Sequence, residues 1–376
     1  MFGRRISLFS LFGFKVGIDA SWFLLAIFIT WSLAEGLFPV YFKGLSQATY
    51  WVMGVAGAIG LFISIIFHEF CHSLVARRYG LPMKGITLFI FGGVAEMEDE
   101  PASPKVEFLM AIAGPASSVL LGAIFYVINF ISSKIHYYVP VNGVLIYLVF
   151  LNIILAVFNL IPAFPLDGGR VLRSILWAIK GNLRWATKVA SFLGESFGFL
   201  LMFVGILQFF AGYGLGGVWY FLIGLFLRSA SGMSYKQLLV RNALEGEKVE
   251  QFMKTDFISV PAAASIDDLV SNYIYKYHFK MFPVAEGSEI IGCITTEQIK
   301  HIPRDAWNQQ TVKSATKECS LENTISPTAD AMQALTIMNR TGKGRLLVMD
   351  NGKLVGLITL KDMLKFLALK IDLEGE

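Results

Sequence analysis

Charge is what this chain has little of. Only 16% of its 376 residues are Asp, Glu, Lys or Arg, against 55% hydrophobic, and the mean hydropathy is +0.59. Ordinary soluble domains carry about 25% charged residues, so the whole chain is not a soluble globular protein. Cysteine is scarce too: Cys71, Cys293 and Cys319 are too few and too scattered for a disulfide framework. The net charge of +4 is small and no basic stripe carries it, which excludes a nucleic-acid partner. No A-x-A-like site follows the apolar opening, so no cleavable signal peptide is expected.

What the chain does have is long apolar runs. Six of them, at about 20–42, 49–76, 106–132, 142–161, 190–212 and 216–231, are candidates to cross a bilayer, whose core takes about 20 helical residues. Loop cations gather on one side, Arg77, Arg78, Arg170 and Arg173 among them, while the other side receives only Lys43 and Lys134. The positive-inside rule then puts both termini in the cytosol, together with the end of the second run. From about Glu247 the composition turns mixed and soluble. The expected division is a membrane domain at 1–231, a linker at 232–246 and two repeats at 247–310 and 311–376.

The second run ends in Ile65-Ile66-Phe67-His68-Glu69-Phe70-Cys71-His72. In this H-E-x-x-H spacing His68 and His72 stack on one helix face and can pinch one metal ion, with Glu69 placed to reach a water. A charge here costs about 2.5–3.5 kcal/mol to insert, so intramembrane ionisable groups are functional candidates by default. The plainer alternative is a chance match or a structural metal clip. The fourth run closes in Asn159-Leu160-Ile161-Pro162-Ala163-Phe164-Pro165-Leu166-Asp167-Gly168-Gly169-Arg170. Two prolines break the helix just before Asp167, which emerges on the side of His68 and His72. Two histidines, one carboxylate and a water make a catalytic zinc set; a helix-capping aspartate is the alternative.

Two further segments frame these motifs. Residues Lys84 to Ala95, containing Phe91-Gly92-Gly93, are β-rich, and such a strand can offer its edge to an extended peptide or simply pack over the helix ends. The acidic run Glu96, Glu98, Asp99 and Glu100 reads as a solvated loop. Ala113-Gly114-Pro115 reads as close helix packing around a kink.

The pair HEFCH and NLIPAFPLDGGR, on separate spans, resembles the site-2 protease family of intramembrane zinc metalloproteases over roughly residues 15–230. The resemblance implies one Zn2+ per chain on His68, His72 and Asp167, Glu69 as general base, and Asn159 orienting the scissile carbonyl. It matches Gly92 and Gly93 to the substrate strand. It also implies single-span membrane proteins as substrates, such as membrane-held transcription factors or anti-sigma factors.

In the soluble part Phe282-Pro283-Val284 through Thr295 aligns without gaps with Leu346-Leu347-Val348 through Thr359. Each copy reads as helix, strand, turn, strand, helix. This resembles a tandem pair of CBS domains, which implies an adenine nucleotide (ATP, ADP or AMP) on Thr359 and Asp362 in Gly356-Leu357-Ile358-Thr359-Leu360-Lys361-Asp362. The first copy departs, with Gln298 where the acid belongs. A homodimerisation module without ligand is the alternative.

The expected fold is therefore a polytopic α-helical membrane protein of about six spans with a small membrane-associated β element, followed by a cytosolic α/β tandem CBS domain. The expected function is intramembrane proteolysis modulated by nucleotide. The rival is a CBS-gated transporter or channel with a structural metal, although the spans show no internal repeat.

Overall fold

The computed structural model describes residues 5–81, 83–89, 92–97, 100–135, 138–287, 289–317, 320 and 323–374. Glu98, Asp99, His136 and Cys319 lie outside the described residues. The chain forms two compact units, Met1–Lys236 and Gln237–Glu376.

Apolar runs in a bilayer can satisfy their backbone only within themselves, as helices. Among the described residues the first unit has five helices long and apolar enough to cross: α1 (Ser21–Tyr41), α2 (Gln47–Arg78), α3 (Pro104–Ile135), α4 (Val139–Asn159) and, after the shorter α5 (Asp167–Lys180), α6 (Leu183–Phe210). They coincide with the first five expected spans. The sixth, 216–231, begins α7 (Gly214–Leu244), which is not among the five. Four glycines in its first three turns, with Arg228, dilute its apolarity. The stretch expected as a linker is helical up to Leu244.

Leu24, Ile27, Val52, Ile59, Ile154 and Phe203 point outward, as lipid-facing side chains must. Inward faces use small residues. On α2 a methyl at Gly54 would come within 2.8 Å of the Thr30 carbonyl, so α1 approaches at backbone distance, and one at Gly60 within 2.6 Å of the Leu148 side chain, which α4 packs into that gap. Ser46 caps α2 by accepting from the Thr49 amide, and Arg77 and Arg78 complement the helix dipole at its other end.

The opening residues are a hairpin, β1 (Arg5–Leu11) and β2 (Phe14–Asp19), turning at Phe12 and Gly13, both with positive φ. Two strands after α2, β3 (Met83–Phe89) and β4 (Gly92–Met97), complete a four-stranded sheet in the order β1-β2-β3-β4. Here β2 and β3 run parallel and the other pairs antiparallel. Arg77 donates to the Phe12 carbonyl at 2.7 Å and lies over the Phe14 ring, tying the hairpin to the end of α2.

In the second unit, β5 (Val260–Pro261), β6 (Met281–Glu286) and β7 (Glu289–Thr295) form one sheet. The other comprises β8 (Thr324–Ile325), β9 (Arg345–Asp350) and β10 (Lys353–Thr359). Each strand of the second sheet begins 64 residues after its counterpart, and β7 and β10 share the same order of exposed and buried residues, so the repeat seen in sequence is a repeat in space. Each sheet packs its own apolar core, one around Phe282, Val284 and Ile294, the other around Leu346, Val348 and Ile358.

The packing does not follow the expected cut at 310/311. Val249 and Phe252 bury themselves in the core of the second repeat, and Val312 in that of the first. The backbone agrees: Val249 N–H donates to the Ala329 carbonyl and Val312 N–H to that of Ala264. Each repeat is thus completed by a segment that precedes or follows its expected boundary, through long-range pairing that no local pattern announces.

Candidate metal centre

His68 and His72 lie one turn apart on α2, and Asp167 is the first residue of α5. The helix of α4 ends at Asn159, and the turn through Pro162 and Pro165 delivers Asp167 to the same point. Two helices clamp that turn. Ser231 of α7 donates its hydroxyl to the Phe164 carbonyl. On α6, Gly194 lies so close that a methyl there would sit 2.0 Å from the same oxygen.

All three side chains are nearly withdrawn from solvent, at 3%, 6% and 9% exposure. His68 Nε2 is 3.0 Å from Asp167 Oδ2, His72 Nε2 is 3.2 Å from that oxygen, and the two nitrogens are 3.1 Å apart. This is the one cluster of such donors among the described residues. Asp167 makes no N-cap bond; the N-cap position is Leu166. The helix-cap alternative for Asp167 therefore does not describe the structure.

The remote nitrogens decide what the cluster can hold. His72 Nδ1 donates to the Met110 carbonyl at 2.6 Å. A carbonyl only accepts, so the proton is on Nδ1, and neutral His72 presents a lone pair at Nε2. His68 Nδ1 is 2.9 Å from the Ser118 hydroxyl, a partner suited to the same tautomer. Lone pairs then face a carboxylate oxygen at close range, an arrangement that a shared proton or a metal cation relieves. Tetrahedral zinc with bonds of about 2.0–2.1 Å spaces its ligand atoms about 3.3 Å apart. The observed triangle fits that edge length, and imidazole with carboxylate is a zinc donor set.

Space is cleared for this triangle by Gly114 of α3. A methyl there would fall 2.1 Å from His72 Nε2 and 2.5 Å from His68 Nε2. The Ala113-Gly114-Pro115 segment, read from sequence as helix packing, therefore also walls the centre. Met110, Gly114 and Ser118 recur at helical spacing, so one face of α3 supplies a carbonyl, a gap and a hydroxyl to the histidines.

Glu69 is half-buried on the adjacent face of α2, against β4: a methyl at Gly93 would lie 2.7 Å from Glu69 Cγ. Gly92 takes φ +128°, open to glycine and strained for other residues. Asn159 is half-buried and its amide donates to the Leu155 carbonyl at 2.9 Å, a bond within its own helix. Cys71 is half-buried and does not join the cluster.

Sequence reasoning passed over Glu107 and Arg173. Arg173 was counted among the cytosolic loop cations, yet it is buried in α5 and bonds Glu107 Oε1 through Nε at 2.6 Å. It also reaches Glu100 at 3.0 Å, so this member of the acidic run is an ion-pair partner and not only solvated. The available signal was an acid, Glu107, standing inside an apolar run. In the second unit, Thr359 donates to Asp362 at 2.5 Å and Lys254 Nζ pairs with it at 2.8 Å. At the matching place Thr295 donates to Gln298, whose own amide donates to the Ala315 carbonyl at 2.7 Å.

Residues 56–205 match peptidase family M50, and residues 249–304 and 322–369 match the CBS domain. A protein of Synechocystis sp., provisionally named a zinc metalloprotease, is 34% identical over 367 residues, covering 97% of this chain and 96% of that one. Rip3 of Mycobacterium tuberculosis, also provisionally named a zinc metalloprotease, is 30% identical over 361 residues, covering 94% and 91%. Among solved structures, the site-2 protease from Methanocaldococcus jannaschii is 29% identical with a TM-score of 0.44, covering 61% of this chain and 94% of that one.

Proposed function

This chain belongs to peptidase family M50, the site-2 proteases, with a CBS pair appended, and from that premise we propose that it cleaves transmembrane helices of membrane-anchored proteins within the bilayer. It is a multi-pass membrane zinc metalloprotease, which sets aside the transporter or channel reading. The observation that carries the proposal is the buried triangle of His68, His72 and Asp167 beside Glu69, at the end of a membrane helix.

We assign His68, His72 and Asp167 as the zinc ligands. When bound, zinc supplies Lewis acidity, polarising a carbonyl and lowering the pKa of a water toward about 7. Glu69 takes the proton from the attacking water and delivers it to the leaving amine, the work of a general base turned acid. Asn159 orients the scissile carbonyl with the second N–H of its amide, the first being held by the carbonyl of Leu155.

The peptide bonds of a helical substrate are shielded, each carbonyl tied to an amide four residues on. Unwinding costs those bonds, and a sheet edge repays them. The sequence leaves open which part of the stretch from Lys84 to Ala95 offers its edge. In the sheet, β3 is enclosed between β2 and β4, so we place the substrate on the outer edge of β4, where Gly93 lies against Glu69.

For orientation, the loop-cation asymmetry survives removal of the buried Arg173, and with α7 crossing as a sixth span both termini are cytosolic. The CBS pair binds an adenine nucleotide at Thr359 and Asp362 and modulates cleavage; it also offers a homodimer contact. The decisive experiment incubates the purified protein with single-span substrates whose helices differ in glycine and proline content near the cut. Cleavage should rise with helix-breaking residues and vanish in Glu69→Gln. Equal cleavage of rigid and breakable helices would sink the unwinding step.

A further inference from the structure

Glu107 and Arg173 stand outside the chemistry above, and their cost demands an account. Glu107 is fully buried and Arg173 is 2% exposed, both beside a membrane core. Two guanidinium nitrogens converge on Glu107 Oε1 and a third contact reaches Glu100. The same guanidinium lies 5.1 Å from the centre of the Phe164 ring, in the turn that leads to Asp167. A buried pair of this kind is poor at stabilising a fold and well suited to fixing one arrangement.

Position supplies the rest of the argument. Glu107 lies on α3 at helical spacing from Met110, Gly114 and Ser118, the residues that support His72, clear the triangle and support His68. Arg173 lies on α5, the helix whose first residue is Asp167. The ion pair therefore locks the helix carrying the carboxylate to the same face of α3 that orients both histidines. We propose that Glu107 and Arg173 are positioning residues for the metal centre, setting Asp167 at bonding distance from the point where His68 and His72 converge. The inference rests on Asp167 being a metal ligand.

Removing one partner leaves a buried unpaired charge and threatens the fold, whereas removing both is usually tolerated. The test therefore uses full-length protein in detergent carrying Glu107→Leu with Arg173→Met, alongside Arg173→Lys, which keeps the charge and loses the planar fork. Zinc affinity is measured by competition, and the visible d–d spectrum is recorded after Co2+ substitution. Circular dichroism melting reports the fold.

Asp167→Ala comes first. It should lose the tetrahedral cobalt band; an unchanged band would remove the ligand assignment itself and with it this proposal. Given that loss, the double variant should melt as a folded protein yet bind zinc about 10- to 100-fold more weakly, with a shifted cobalt band, and Arg173→Lys should fall between it and the wild type. A folded double variant with wild-type affinity and spectrum overturns the proposal. So does unfolding of both the double variant and Arg173→Lys, since the pair would then be holding the fold and not the carboxylate.

Discussion

Asp167 in the membrane unit and Asp362 in the CBS unit both stand in the first turn of a helix, and their surroundings are opposite. Asp362 has its countercharge from the chain itself: Lys254 at 2.8 Å and the Thr359 hydroxyl at 2.5 Å. Asp167 faces two imidazole nitrogens at 3.0 and 3.2 Å, one of them held as a lone pair by the Met110 carbonyl. One carboxylate is electrostatically complete, and the other is completed by a shared proton or an added metal cation. A ligand at Asp362 must compete with Lys254, whereas a cation at Asp167 meets a site already arranged for it. The contrast predicts tight, obligatory metal in the first unit and weaker, reversible ligand exchange in the second.

The sharpest way to break the comparison is Asp167→Ala. Zinc content by elemental analysis should drop to near zero and proteolysis with it, while calorimetry of the CBS unit with ATP should match that of the wild type. Glu69→Gln separates holding the metal from using it. Zinc should stay bound, and the cleavage rate should fall by about 10²- to 10⁴-fold, the usual worth of a general acid–base group. A variant that kept wild-type turnover would move the base elsewhere.

Gly93→Ala probes the strand without touching a ligand. The added methyl would lie 2.7 Å from Glu69 Cγ and 3.1 Å from Ile65 Cγ2, so strand or side chain must move. Turnover should decline less than in Glu69→Gln with metal retained, and coincident loss of zinc would show that β4 supports the centre as well as the substrate.

The smallest effect on stability is expected at Asp362. Partial burial pushes its pKa up, but hydrogen bonds from Lys254 and Thr359 outweigh that and hold the carboxyl below its usual range. A depressed folded-state pKa contributes stability above the unfolded value of about 3.9, and that contribution is lost as pH falls through the folded value. Because Lys254 is 63% exposed, the pair is worth at most about 1 kcal/mol. Asp362→Asn should therefore lower the melting temperature slightly at pH 7 and not at all well below pH 3, while calorimetry with ATP, ADP and AMP shows binding abolished. Gln298→Ala should leave that binding nearly unchanged, since Gln298 is already engaged with Thr295 and the Ala315 carbonyl.

Local patterns are legible in the sequence. His68 and His72 declare a shared face through their spacing alone, and Asp167 follows two helix-breaking prolines. The CBS repeat shows itself because Phe282 to Thr295 and Leu346 to Thr359 are two copies of one strand–turn–strand unit. Less legible were the features that depend on partners far away in sequence. Arg173 looked like one more cytosolic charge because only its neighbour on α3 makes it a buried one. The expected bounds put Val249 in the first repeat and Val312 in the second, whereas each packs in the core of the other one.

By itself, then, the sequence determined the elements: apolar runs that must be helices in lipid, a metal-binding spacing on one of them, and a soluble repeat. Tertiary structure alone decided that Gly114 empties the space around the two Nε2 atoms, that Met110 fixes the tautomer of His72, and that β3 is enclosed while β4 is an edge. It also decided that Glu107 meets Arg173. The physical reason is range. Helical periodicity and turn chemistry act over a few residues, whereas tautomers, buried charges and sheet edges depend on atoms brought together from 38 to 95 residues apart, as in the bonds of His72 with Met110 and Asp167.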